Sequence, residues 1–242
     1  MTPLLYGDLV RWYRLLDPPE DHADEARSYR EALERAVPTA ETLLDLGSGG
    51  GHNALHLADR FRCTLSDISE PMLGLSRELL PQCEHLPGDM RTLRLGRTFD
   101  TVLVHDAVMY MTTESDLRAA VATAFLHTRP GGAAVFAADA LRESFEEETD
   151  VIEGDAGTLG LRCIAWSWDP DPGDCTFITD YALLVRDEAG VRAMHDRHLE
   201  GLFPEATWRR VLSEAGFEID TFGRPRDDDG SQDRCFLCKR PA

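Results

Sequence analysis

Residues 43–58, LLDLGSGGGHNALHLA, restrict the fold more than any other stretch of this 242-residue chain. An apolar run ends in Asp45, glycines follow at 47, 49, 50 and 51, and apolar residues at helical spacing begin at Ala54. Continuous apolar residues suit a strand buried on both faces. Glycines permit a tight turn close to a ligand. A strand, a glycine turn and a helix in that order cradle a nucleotide-like molecule at the helix end.

The flanking pattern repeats the unit. Residues 21–36 read as a surface helix closed by Pro38, Thr42–Leu46 as a strand and His52–Phe61 as a helix. Cys63–Ile68 is the next strand, and Ser69 with Pro71 starts a helix through Leu80. Glu84–Leu86 is a short third strand and Thr101–Val104 a fourth. Thr113 or Ser115 caps a helix to about His127, and Pro130-Gly131-Gly132 turns into a fifth strand, Ala133–Ala138. Alternation of this kind predicts a parallel sheet with right-handed crossovers. After Asp139 the period changes: Leu161–Trp168, Phe177–Val185 and Val191–Leu199 read as three extended, antiparallel segments. Pro204 opens a helix that Gly216 ends, and Phe217–Phe222 and Arg234–Lys239 are the last strands, around an acidic loop read as mobile.

Twenty-five basic side chains against 44 acidic ones leave a net charge of −19. That balance argues against nucleic acid or an anionic membrane as partner and favours a neutral or cationic small molecule. No basic-then-apolar leader and no run of about 18 apolar residues is legible, so the expected location is the cytoplasm. Cys235 and Cys238 have CxxC spacing but no second pair to complete a zinc site, and read as buried thiols of a terminal strand. No metal is expected. His195 and His198 point to opposite sides of their strand and would need acids to help bind one.

Which nucleotide-like ligand fits is decided by charge. A dinucleotide fingerprint needs a third glycine where His52 stands, and Asp45 would face an incoming pyrophosphate. Asp45-Leu-Gly47-Ser-Gly49-Gly-Gly51 resembles motif I of the class I S-adenosylmethionine-dependent methyltransferases, whose cofactor carries an ammonium and a sulfonium. Three later stations agree: Asp67 sixteen residues beyond Gly51, Asp89-Met90 after the third strand, and Phe99-Asp100-Thr-Val-Leu-Val-His105-Asp106. The likeness is strong over about residues 40–140; the N-terminal segment, the HDAVMYM loop and RHLEGLFPEATWRRVLSEAGF resemble bacterial small-molecule methyltransferases, amino-sugar N-methyltransferases among them.

The resemblance implies a seven-stranded Rossmann-like α/β sheet with helices on both faces and an antiparallel β insertion, 141–203, after the fifth strand. Residues 1–37 would be a helical lid, and the whole chain one domain. S-adenosyl-L-methionine is the implied cofactor. Asp45, Gly47, Ser48 and Gly49 would address its methionine end, together with Tyr13 from the lid. Asp67 would take the ribose, Ile68 with Met72 would pack on the adenine side, and Asp89 with Met90 would read the adenine edge. His105, at the end of the fourth strand, would lie beside the transferring methyl.

For the acceptor, His105 is the first candidate base because an imidazole titrates near neutrality. Tyr110 is the second catalytic candidate. Tyr13, Asp106, Tyr110, Asp139, Trp166 and His198 are the candidate acceptor contacts, and Tyr6 a weaker one. Trp166 and Trp168 share a strand face that could wall the acceptor. The expected reaction is in-line methyl transfer to a small molecule, preferably an amine nitrogen, with a hydroxyl as the rival acceptor. An NAD-dependent oxidoreductase and a non-catalytic homologue are the readings from other classes. The insertion is also a candidate homodimer surface.

Overall fold

The structure is a computed structural model describing residues 3–225 and 232–242; the acidic loop expected to be mobile lies largely outside them. The chain enters through three 3-10 turns, Leu4–Tyr6, Val10–Trp12 and Pro19–His22, with one helical turn, α1 (Tyr13–Leu16), among them. Helix α2 (Ala23–Ala36) follows, with Ala26, Tyr29, Ala32 and Leu33 buried at three- and four-residue intervals. The units then alternate: β1 (Thr42–Leu46), α3 (His52–Leu57), β2 (Arg62–Asp67), α4 (Glu70–Leu79), β3 (Glu84–Pro87), β4 (Phe99–His105), α5 (Glu114–His127) and β5 (Thr128–Ala137). Helix α3 stops four residues before the expected Phe61. The caps are as read: Ser69 accepts from the Met72 amide, and Thr113 from the Asp116 amide.

Four strands instead of three form the insertion: β6 (Glu148–Ala156), β7 (Leu159–Trp168), β8 (Thr176–Asp187) and β9 (Gly190–Gly201), an antiparallel meander. Helix α6 (Glu205–Glu214), β10 (Glu218–Pro225) and β11 (Gln232–Lys239) complete the chain. The main sheet has the order β10-β11-β5-β4-β1-β2-β3 and is parallel except for β11, which runs antiparallel to both neighbours.

Adjacent residues of one strand feed opposite layers. Leu44, Val104 and Phe136 join α5 and α6 around Trp208, whereas Leu43, Leu103 and Val135 pack under α2 and α3. Cys235 and Cys238 are buried free thiols, one in each layer. A third core joins the start of the chain to the insertion: Leu5, Leu9 and Trp12 pack on Leu161, Cys163, Leu183 and Val185. Each such side chain, fully buried, adds roughly 1.5–3 kcal/mol. This third core holds the N-terminal segment over the carboxyl end of the main sheet.

Candidate active site

The turn after β1 is the floor of the site. Gly47 has φ +83°, and a Cβ there would stand 2.4 Å from the Ala107 Cβ and 2.7 Å from the Met90 Cε, so a side chain fails on both counts. Gly51, the N-cap of α3 at φ +81°, is equally closed by Ser76 Oγ at 2.6 Å. Above this floor lies a cavity of about 810 Å³, walled by the ends of the sheet strands, the N-terminal segment and the inner face of the insertion.

Most of the expected residues meet there. Tyr13, Gly47, Ser48, Gly49, Asp67, Ile68, Met72, Asp89, Met90 and His105 all line the cavity, as do Asp106, Tyr110 and Asp139. Asp67 accepts from the Gly49 amide through one oxygen (2.9 Å) and from the Ser69 amide through the other (2.7 Å), which fixes the carboxylate at the cavity wall. Asp89 is clasped by Arg91, which also reaches Asp116; that bond holds its pKa below the usual carboxylate range.

Three expected residues lie elsewhere. Asp45 is buried behind the glycine turn rather than at the wall, and burial raises its pKa to about 7. Trp166 stands on the outer face of the insertion, 42% exposed, stacked on Trp168 at 5.4 Å and donating to Glu147. Because side chains alternate along a strand, its neighbours Ala165 and Ser167 line the cavity in its place. His198 is 1% exposed and is not at the wall either; it touches a residue that is, Tyr110. His195 and Arg197, on the outer face, both engage Asp180.

Around His105 a buried network replaces the open base that was expected. Its Nδ1 lies 3.2 Å from the Asn53 amide nitrogen, which also donates to Glu25. Its Nε2 lies 2.7 Å from Asp106 Oδ1 and 3.2 Å from Glu25. Both nitrogens are therefore engaged. Burial disfavours the imidazolium, but Asp106 and Glu25 outweigh it and lift the pKa well above the ordinary histidine value. Arg224, on β10, gives its guanidinium to Glu25, Tyr29, Asp139 and Asp233. Next to this, Asp17 bridges His22 (2.7 Å) and His52 (3.2 Å), and Glu25 holds the other nitrogen of His22 at 2.6 Å. Asp17-His22-His52 and His105-Asp106-Asp139 are each close enough to share an ion, with ligand atoms within 4.8 Å of one another.

A second chain of polar groups runs from the cavity into the insertion. The Tyr110 hydroxyl is 2.8 Å from the Tyr6 hydroxyl and 2.7 Å from His198 Nδ1. His198 Nε2 lies 3.1 Å from Asp196 Oδ2, which also accepts from the Leu5 amide at 2.9 Å.

The arrangement has known counterparts. Residues 43–132 match a methyltransferase domain family. The chain is 31% identical over 206 residues to the dTDP-3-amino-3,4,6-trideoxy-alpha-D-glucopyranose N,N-dimethyltransferase of Streptomyces venezuelae, covering 83% of this chain and 85% of that one. This chain belongs to the class I S-adenosylmethionine-dependent methyltransferases. The methyltransferase superposes on the crystal structure of Streptomyces venezuelae DesVI with a TM-score of 0.81 at 29% identity, over 98% of each chain. It superposes on the S-adenosylmethionine-bound amino pentose methyltransferase of Micromonospora echinaspora with 0.79 at 27%, over 96% of each. The methyltransferase expectation thus holds over the NAD-dependent alternative.

The residues present suit this cofactor. The Ser48 hydroxyl at the wall is buried without a hydrogen-bond partner, and Asp67 offers a carboxylate fixed by the amide of the next residue, Gly49. Ile68, 68% exposed in the open cavity, is an apolar surface for a flat ring. What the sequence hid in this methyltransferase is the network: Asp17, His22, Glu25, Asn53, Asp196, Glu200 and Arg224. His22 and Glu25, at i,i+3 spacing, were the one local signal; Arg224 lies 199 residues from its partner Glu25 and gave none.

Proposed function

We propose that this methyltransferase moves a methyl group from S-adenosylmethionine to the amino nitrogen of a small molecule, with an amino sugar as the acceptor class. The observation that carries this is the wall beyond the glycine turn, where Asp106, Asp139, Glu146, Asp150 and Glu200 face the cavity. Arg91 is the one arginine or lysine among the described lining residues, and Asp89 and Asp116 hold it; Arg224, behind the wall, pairs with Asp139 and lies 3.6 Å from Asp106, which leaves the acids in excess. Such a wall attracts an ammonium ion. The Streptomyces relatives are N,N-dimethyltransferases of dTDP-linked 3-amino sugars, which supports the same class.

When bound, the cofactor supplies an electrophilic methyl on a good leaving group. The chain's own work is to hold, align and dehydrate. Asp67 and the turn Gly47–Gly49 fix the nucleoside and methionine ends. His105, with both nitrogens engaged and its charge favoured, acts as a positioning group for the β4 end rather than as a base. The insertion forms the acceptor half of the cavity, and the N-terminal segment is its cover.

The test is a methyl-transfer assay with purified protein, cofactor and a matched panel: a dTDP-linked 3-amino sugar, a phosphate-free amino sugar, and the hydroxyl analogue of each. Methylation at nitrogen with inert hydroxyl analogues is expected. Turnover of the hydroxyl analogues with inert amines would defeat the proposal.

A further inference from the structure

An amine that arrives as an ammonium, as the acidic wall favours, carries its lone pair as an N–H bond and cannot attack until that proton leaves. His105 has no free nitrogen to take it. The other imidazole within reach of the cavity is His198, and it is connected through one side chain. Tyr110 lines the cavity, and its hydroxyl lies 2.7 Å from His198 Nδ1.

The far side of His198 is built to receive a charge. Asp196 Oδ2 stands 3.1 Å from Nε2, and that carboxylate is itself fixed by the amides of Leu5 and Arg197. A ring nitrogen whose proton is held by a carboxylate presents its other nitrogen as an acceptor, and the carboxylate stabilises the imidazolium that forms. Groups facing His198 from neighbouring elements are few. Asp196 and Glu200 share its face of β9, and Tyr181 of β8, Tyr6 and Tyr110 pack their rings 4.7, 5.4 and 5.9 Å from it. Glu200 takes the Thr179 hydroxyl at 2.8 Å. Among the described residues no arginine or lysine bonds to the ring.

We infer that Tyr110, His198 and Asp196 form the proton exit of this enzyme, carrying the acceptor's ammonium proton out of the cavity. The inference rests on the amine reading above. In the step, the acceptor N–H bond breaks and its electron pair stays on nitrogen, which becomes the nucleophile. The proton bonds to the Tyr110 oxygen as the Tyr110 O–H proton moves to His198 Nδ1. The imidazolium then pairs with Asp196, and no oxidant or further reactant is needed. At rest the Tyr110 hydroxyl donates to the Tyr6 hydroxyl, 2.8 Å away, so its O–H turns from Tyr6 to His198 Nδ1 before the relay runs. Tyr110 touches the acceptor; His198 and Asp196 act through it.

The test compares wild type with Tyr110→Phe and His198→Gln, using the amino sugar that wild type methylates. Turnover on the acid side should require higher pH in both variants, by about one unit or more, because only amine already neutral in solution can react. Cofactor affinity by calorimetry should be unchanged, which separates this from a packing defect. A readout independent of turnover uses ¹⁵N-labelled histidine: adding the amine alone should move His198 to the imidazolium form in wild type and not in Tyr110→Phe, which also serves if His198→Gln does not fold. Superimposable pH profiles, or a His198 that stays neutral when the amine binds, would overturn the exit alone. A wild type that methylates no amine would remove the amine reading and the exit together.

Discussion

His22 shows how one side chain ties the N-terminal segment, at Asp17, to helix α2, at Glu25. Burial opposes its charge, yet its bonds to Asp17 and Glu25 prevail and raise its pKa to about 10, above the roughly 6.5 of an unfolded chain. A raised histidine pKa stabilises fully below the unfolded value and loses that contribution as pH climbs through the folded one. Between pH 6.5 and 10, then, wild type should lose an advantage that His22→Gln lacks. Urea denaturation at several pH values should show a gap of about 1–3 kcal/mol at neutrality that narrows toward pH 10. A constant gap would mean that His22 contributes shape and not charge. The same scale explains why Asp45 misled: its identity marks the cofactor class, but its burial removes it from the wall.

At the scale of elements, Ser69 joins two of them. Its hydroxyl accepts from the Met72 amide at 3.2 Å to cap α4 and donates to the Tyr6 carbonyl at 2.6 Å. Ser69→Ala should cost about 1 kcal/mol of stability and should also speed hydrogen exchange over residues 4–16 several-fold. Unchanged protection there would show that the apolar contacts of Trp12 alone hold the segment. The cap itself was legible, because Ser69, Pro71 and the apolar spacing after them are local signals. So were β1 and β4, whose apolar runs suit central strands. Strand β6 was not: ETDVIEGDA has no clean alternation, and most of its side chains are exposed, so pairing with β7 alone makes it a strand. The face of β7 was misread for a related reason. Two tryptophans on one side suggest burial, but here the small residues that alternate with them, Ala165 and Ser167, face the cavity.

Over the whole molecule, the charge of −19 is unevenly compensated. Much of the basic complement is spent in ion pairs such as Arg210–Glu114 and Arg129–Asp100, which leaves an acidic cavity and an acidic exterior. Repulsion among unpaired acids opposes the compact state. Raising salt from about 10 to 150 mM shortens the screening length from about 30 to 8 Å, so the thermal midpoint should rise, and affinity for a cationic acceptor should fall over the same range. A midpoint that falls with salt would mean that the surface pairs outweigh the repulsion.

The carboxylate of Asp196 joins parts of the molecule that could otherwise shift separately. One of its oxygens accepts from the backbone amide of Leu5, in the N-terminal segment, and also holds the ring of His198, in the insertion. Segment and ring thus share a single anchoring atom, so neither can move far without disturbing the other's hydrogen bond.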